Sequence, residues 1–241
     1  MGHSQSIPAP EMSAKAMQQG IPNTLRASFK KAFSRKMVVC FGEPDKEPIY
    51  SVSFPTAWYG QVLLHDGPDT ESPLLAGAEP EGKWGVSYGV LLPSLPGQES
   101  SGKETLRRKN TMKYRYWFGM QVGQGADQHI ERFEWRSSHG SEVKSVGESR
   151  FGWKLVRLGR GAEEPDDSNP NDEPDRADGF TSDGHEVVAV WAGSGSMSVH
   201  KVGTFQLIGS GATDELGMQW KIMALLTCMC FWQTTMRDAT T

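Results

Sequence analysis

Cysteine is scarce in this chain, and its scarcity weighs against two classes at once. Only Cys40, Cys228 and Cys230 occur, so they cannot all pair, and none sits in a Cys-x-x-Cys motif. That argues against a disulfide scaffold and against a cysteine-based zinc site. Long apolar runs are missing too. None reaches the roughly 20 residues of a helical bilayer crossing, and no hydrophobic leader with a cleavage site opens the chain, so secretion is not expected. Catalytic signatures are equally thin. His3, His65, His129, His139, His185 and His200 are scattered and form neither His-x-His nor His-Glu-x-x-His spacing, so no metal site is expected. There is no Gly-x-Ser-x-Gly elbow; Gly193-Ser-Gly-Ser196 and Gly209-Ser-Gly211 read as turns. Gly119-Met-Gln-Val-Gly123-Gln-Gly125 opens no helix and is followed by no lysine, so it reads as a hairpin turn, not a phosphate loop. The expectation is a non-enzyme with no cofactor.

What the chain does have is turn chemistry and short alternating segments. Its 27 glycines and 14 prolines, beside 37% hydrophobic and 22% charged residues, suit a turn-rich β protein. A length of 241 residues fits one large domain with loops. Strand patterns fall at residues 37–41, 49–54, 58–64, 84–92, 112–121, 129–136, 151–158, 186–191 and 203–208. In the clearest, Tyr114, Tyr116, Phe118 and Met120 share one face, opposite Lys113, Arg115, Trp117 and Gln121. No helix-period stretches separate these segments, which points to an antiparallel sheet system. Residues 93–110 read as a polar loop with a basic end (Lys103, Arg107, Arg108, Lys109). Residues 160–184 hold nine acids against Arg160 and Arg176, with three prolines, and read as a disordered acidic insertion. That insertion lacks the glycine and spacing of a calcium-binding EF-hand loop.

The chain closes on a very apolar helix. Thr213 or Asp214 can cap it, and residues 222–232 contain nothing more polar than Thr227 and two cysteines. A helix apolar on every side is either deeply buried or in a membrane. Its apolar core of about 11 residues spans roughly 16 Å, about half the hydrocarbon thickness. Burial is therefore expected, with a closed or nearly closed antiparallel barrel of about ten to twelve strands around it. The fold class is all-β with one buried C-terminal helix.

The N-terminus reads as an address. Met1-Gly-His-Ser-Gln-Ser6 matches the pattern for myristoylation of Gly2. One acyl chain holds a protein to a membrane only marginally, so a second signal is expected. Residues 23–36 supply one: Asn23 or Thr24 can cap a helix, Leu25, Phe29 and Phe33 recur every four residues, and Arg26, Lys30, Lys31, Arg35 and Lys36 add charge. Such a helix would lie on an anionic leaflet. The competing reading packs Phe29 and Phe33 on the domain. Through residue 42 the chain carries six basic residues against Glu11 alone, while the whole carries −4. The rest is therefore strongly acidic and would repel nucleic acid, for which no motif occurs.

The aromatic strand Met112-Lys-Tyr-Arg-Tyr-Trp-Phe118, then Arg132-Phe-Glu-Trp135, Phe151-Gly-Trp-Lys-Leu155 and the closing segment 220–232 carry a resemblance. Over residues 37–236 the chain resembles the tubby C-terminal-like superfamily, which includes tubby proteins, phospholipid scramblases and LURP-one-related proteins, and looks most like its fungal members. The resemblance implies a twelve-stranded closed barrel enclosing the C-terminal helix. Leu74-Leu75 and residues 197–202 would then supply the missing strands. Tubby proteins bind phosphoinositide headgroups through basic residues, but none of those positions matches here residue by residue. The palmitoylated cysteine-rich segment and calcium-binding stretch of scramblases are not evident, which puts scramblase activity in doubt.

The resulting expectation is a flexible lipid-anchor arm over 1–36 and a barrel domain over 37–236. The protein would sit peripherally on a cytoplasmic membrane face and bind anionic phospholipid. Two alternatives compete. One is a small-molecule-binding barrel of lipocalin-like character, favoured by a lumen above roughly 300 Å³. The other is a hydrolase on a β scaffold, which needs a pocket where histidines and carboxylates converge.

Overall fold

The computed structural model describes residues 6–30, 37–82, 87–94, 102–109, 114–123, 125–147, 151–160, 179–194 and 200–239. Twelve strands close into one antiparallel barrel: β1 (Thr24–Phe29), β2 (Met37–Gly42), β3 (Tyr50–Phe54), β4 (Val62–His65), β5 (Leu74–Glu81), β6 (Ser87–Leu91), β7 (Lys103–Lys109), β8 (Arg115–Val122), β9 (His129–Ser138), β10 (Gly152–Arg160), β11 (Glu186–Gly193) and β12 (Lys201–Leu207). Each strand pairs with its neighbours in sequence, and β1 closes the ring on β12, with Leu25 opposite Phe205 and Ala27 opposite Gly203. Closure leaves no strand edge unpaired. Two short helices, α1 (Ala14–Gln19) and α2 (Ser141–Val146), are added to it. Helix α2 seals a small outer cluster in which Val143 meets Val187, Val190 and Ala192.

Inside the ring runs α3 (Met218–Ala239). Every residue from Trp220 to Thr234 is buried. Alternation in the strands explains this: one side chain in two points inward, so twelve strands wrap an apolar rod on all sides. The contacts are largely aromatic. Trp220 lies 5.3 Å from Phe133, Phe231 lies 4.6 Å from Trp153 and 5.1 Å from Trp135, and Trp232 lies 5.6 Å from Phe54. Several of the buried polar groups around the helix pair, although the Trp220 indole N–H has no partner among the described residues. The Trp135 indole N–H donates to Thr227 Oγ1 at 3.0 Å, and Thr227 Oγ1 in turn donates to the carbonyl of Met223 at 2.7 Å. Gln233 Nε2 donates to the carbonyl of Ala57 at 2.7 Å. Among the described residues no helix is long and apolar enough to cross a membrane.

Three expectations need correction. Residues 24–29 are not the start of an amphipathic helix; they form β1, and the barrel begins there, not at residue 37. A spacing of four is common to both periods: Leu25 and Phe29 share a helix face, but Leu25, Ala27 and Phe29 also alternate onto one face of a strand. Pairing with β2 and β12 decides between them. Within the expected loop at 93–110, residues 103–109 form β7, with Leu106 buried in the core. The acidic insertion is shorter than expected at its edges. Arg160 ends β10, and Phe180 bridges to Glu186 around a turn in which Thr181 Oγ1 accepts from the His185 N–H at 3.0 Å. Residues 161–178 lie outside the described residues.

Candidate functional site

Gly2, Lys31, Phe33, Arg35 and Lys36 lie outside the described residues. The other three expected contacts are on or beside β1 and are engaged by the barrel itself. Arg26 pairs with Asp45 at 3.1 Å on the open surface. The Phe29 ring sits 6.0 Å from Trp232, against the end of α3. Lys30 Nζ donates to the carbonyl of Pro68 at 3.2 Å. The Phe29 contact agrees with packing on the domain.

A different basic surface is assembled by register. On the outer face of β7, β8 and β9, Arg107 stands opposite Trp117, Trp117 opposite Glu134, and Gly119 opposite Arg132. Two guanidiniums converge on the Trp117 ring, with Arg107 at 4.8 Å and Arg132 at 4.3 Å from its centroid. The indole is almost fully covered, and cation–π contacts of this kind contribute about 0.5–2 kcal/mol each. A groove of about 390 Å³ opens here, walled by Arg107, Trp117 and Arg132 but also by Glu104 and Glu131, and Lys103 at its edge is paired with Glu81 at 3.5 Å.

The charge balance sets this groove apart from its surroundings. Next to it, the fully buried Glu134 takes hydrogen bonds from Arg115 at 3.2 Å and Arg136 at 2.6 Å, and Arg136 also reaches Asp183 at 2.9 Å. Burial alone would raise the Asp183 carboxyl, but the Thr181 hydroxyl and the Arg136 guanidinium outweigh it and hold the carboxyl down at about 2. Those arginines are neutralised. Arg107 and Arg132, by contrast, have no carboxylate partner among the described residues. Arg132 Nη1 is buried with no hydrogen-bond partner. A buried guanidinium N–H left unmatched beside a groove is a ready donor to an incoming anion. Arg115 belongs to the neutralised set, and Lys113 lies outside the described residues.

Two other clusters have chemical shape, one of them buried and the other already satisfied by its own ion pairs. Ser53 Oγ lies 2.9 Å from His65 Nε2, and His65 Nδ1 lies 3.1 Å from the carbonyl of Ser72. That is a nucleophile beside an oriented base. Both are nearly fully buried, burial pushes the His65 pKa down, and no carboxylate holds the ring. At the end where α3 begins, Glu131 accepts from Arg157 at 2.6 Å and sits 2.6 Å from His129, while Arg157 also donates to Glu215 and Ser210. This network matches charge with charge. Among the described residues no group of three or more His, Cys, Asp or Glu is placed to hold a metal ion.

The Arg107–Trp117–Arg132 groove was not legible from sequence, because its first arginine lay in the supposed loop. The one signal was the buried Leu106 among alternating charges. Fold and groove together define the class: a closed antiparallel barrel, filled by its own helix, with two arginines stacked on Trp117 in a groove of its outer face. A scan against protein-family models matches none, and searches of the curated proteins and of the solved structures return no match.

Proposed function

We propose that the protein is a non-catalytic, tubby-like barrel that attaches peripherally to the cytoplasmic face of a membrane and binds anionic phospholipid. The observation that carries the reading is the pair Arg107 and Arg132 on Trp117, with Arg132 Nη1 buried and unmatched. Twelve strands around a C-terminal helix is also the architecture the tubby resemblance implies. The membrane contact thus moves from the supposed N-terminal helix to the outer face of β7–β9. Acylation of Gly2 would be the second hold, since one weak signal does not anchor a protein stably.

The test is co-sedimentation of the full chain with phosphatidylcholine vesicles, with and without phosphatidylserine, at low and high salt. Each basic residue near an anionic surface contributes about 1 kcal/mol. Arg107→Gln with Arg132→Gln should therefore lower affinity for the anionic vesicles about 30-fold. A myristate-analogue label on the wild type, absent from Gly2→Ala, tests the anchor. Equal binding to both vesicle types, or no change in the double variant, would overturn the reading.

A further inference from the structure

The end of the barrel where α3 finishes is not completely filled. The helix leans on β3 there, where Trp232 meets Phe54, and on Trp58 at 5.5 Å. On the side of β10–β12 it leaves a cavity of about 310 Å³. The walls are Trp153, Trp191, Val202, Phe231, Trp232 and Met236, and the rim carries the neutral polar groups of Ser137, Ser194 and Thr235. Among the described residues no Lys, Arg, Asp or Glu lines it, and His139, set against Phe151, is its one titratable group. A site of this chemistry repels ions and favours hydrocarbon.

Size narrows the occupant. At roughly 30 Å³ per buried heavy atom the cavity holds about ten carbons. A sterol or a two-chain lipid is too large to enter whole. We propose that this cavity takes the hydrocarbon end of one linear acyl chain, belonging to a separate lipid or fatty acid molecule, with the headgroup left at the polar rim. The inference is independent of the cationic face and stands whether or not that face binds membranes.

The chain's own N-terminus is a poor source for the occupant. Ile7 packs on the outer wall of the barrel, against Leu63 and the bare backbone of Gly77 on β5. In the closed ring β5 and β11 are six strands apart in either direction. Six strand spacings are about 29 Å around the wall, and the five residues from Gly2 to Ser6 reach at most about 18 Å, so a chain carried on Gly2 would spend much of its own length on the wall and fill the cavity only in part.

Gly193 offers the decisive variant. By alternation from the inward Trp191 it faces the cavity, and a Cβ there would meet nothing nearer than the Phe151 carbonyl oxygen at 4.0 Å among the described residues. Gly193→Leu should fill the space without disturbing the strand. Each methylene kept out costs about fourfold in affinity, and a leucine side chain displaces about four, so a loss on the order of 100-fold is expected.

The probe is terminally brominated dodecanoic acid, read by quenching of tryptophan emission below its micellar concentration. Saturable quenching at one molecule per chain, displaced by plain dodecanoic acid and lost in Gly193→Leu, is the expected result. Thr235→Leu, which fills the cavity from the helix side, serves as the second variant if the first folds poorly by circular dichroism. Absence of saturable quenching in the wild type, or undiminished quenching in a folded filled variant, would overturn the proposal. Protein co-expressed with an N-myristoyltransferase completes the test. If the acylated chain takes up the probe as well as the bare chain, the occupant is a separate molecule; if acylation alone abolishes uptake, the chain's own acyl group is the occupant and the proposal is overturned.

Discussion

Replacing Thr227 by valine tests whether α3 sits in the barrel in the register described here. Valine keeps the branched shape of threonine but removes the oxygen that accepts from the Trp135 indole at 3.0 Å. Both residues are fully enclosed, so water cannot take over the bond. An orphaned buried N–H costs about 1–3 kcal/mol. The Met223 carbonyl loses the threonine hydroxyl but stays within the helix ladder, so no second orphan arises. The net expectation is a destabilisation of about 2 kcal/mol, or a fall in Tm of about 4–8 °C for a chain of this size. Urea unfolding followed by circular dichroism measures it. Trp135→Phe removes the donor, and the double variant then has neither group to satisfy. Its destabilisation should fall short of the sum of the two singles by about 1–2 kcal/mol. A coupling below about 0.5 kcal/mol, the usual scatter for independent sites, would mean that indole and hydroxyl do not meet, and the register of helix in barrel would have to be redrawn.

Two further outcomes follow from the buried titratable groups. Burial raises the thiol pKa of Cys40, Cys228 and Cys230, so none of the three should react with a maleimide in the native protein, and all should react in urea; native labelling of Cys228 or Cys230 would place α3 outside the barrel. The hydrogen bond to Glu131, reinforced by the carbonyl of Asp127, raises the His129 pKa above its ordinary value near 6.5. The stability it lends is therefore fully present below about pH 6.5 and disappears as pH rises through the raised value. The Tm advantage of wild type over His129→Gln should shrink from pH 6 to pH 8.5, and an advantage constant across that range would refute the assignment.

The parts of the fold legible in sequence are those where alternation and burial coincide. Tyr116, Phe118 and Met120 on β8, and Phe133 and Trp135 on β9, line the core as their spacing implies. The enclosed helix was legible for a related reason, since a segment with no polar side needs apolar surroundings in every direction. The misread strands share a physical cause. In β7 the only core residue among those described is Leu106, and charged residues at the other positions hide the alternation that would mark a strand. In β5, Gly77 and Pro80 break the usual composition, and Gly77 is bare because Ile7 would collide with any Cβ there. In β1 the inward position between Leu25 and Phe29 is Ala27, too small to weigh in a periodicity, so the spacing of four favoured a helix. The groove itself depends on which strands are neighbours. Alternation put Trp117 on the face opposite Tyr116 and Phe118, but its meeting with Arg107 exists only once β7 pairs with β8.

A closed barrel filled by its own helix leaves few places for a ligand, and the charges sort them. There is no open strand edge for a peptide to extend, and the lumen between Trp220 and Thr234 is occupied. At the end where α3 begins, Glu131 already holds Arg157 through both carboxylate oxygens, and Arg157 also reaches Glu215. A ligand binding there would have to break matched, partly buried ion pairs, and exposing one partner of such a pair costs about 3–5 kcal/mol. That end reads as a seal. The opposite end has apolar walls still unfilled, and the outer face of β7–β9 has a guanidinium still unmatched. Binding at the groove would satisfy the unmatched Arg132 Nη1, and binding at the cavity would cover apolar walls. An amphiphile carrying an anionic head and a hydrocarbon tail presents chemistry complementary to both surfaces, and it is the ligand class we propose for them.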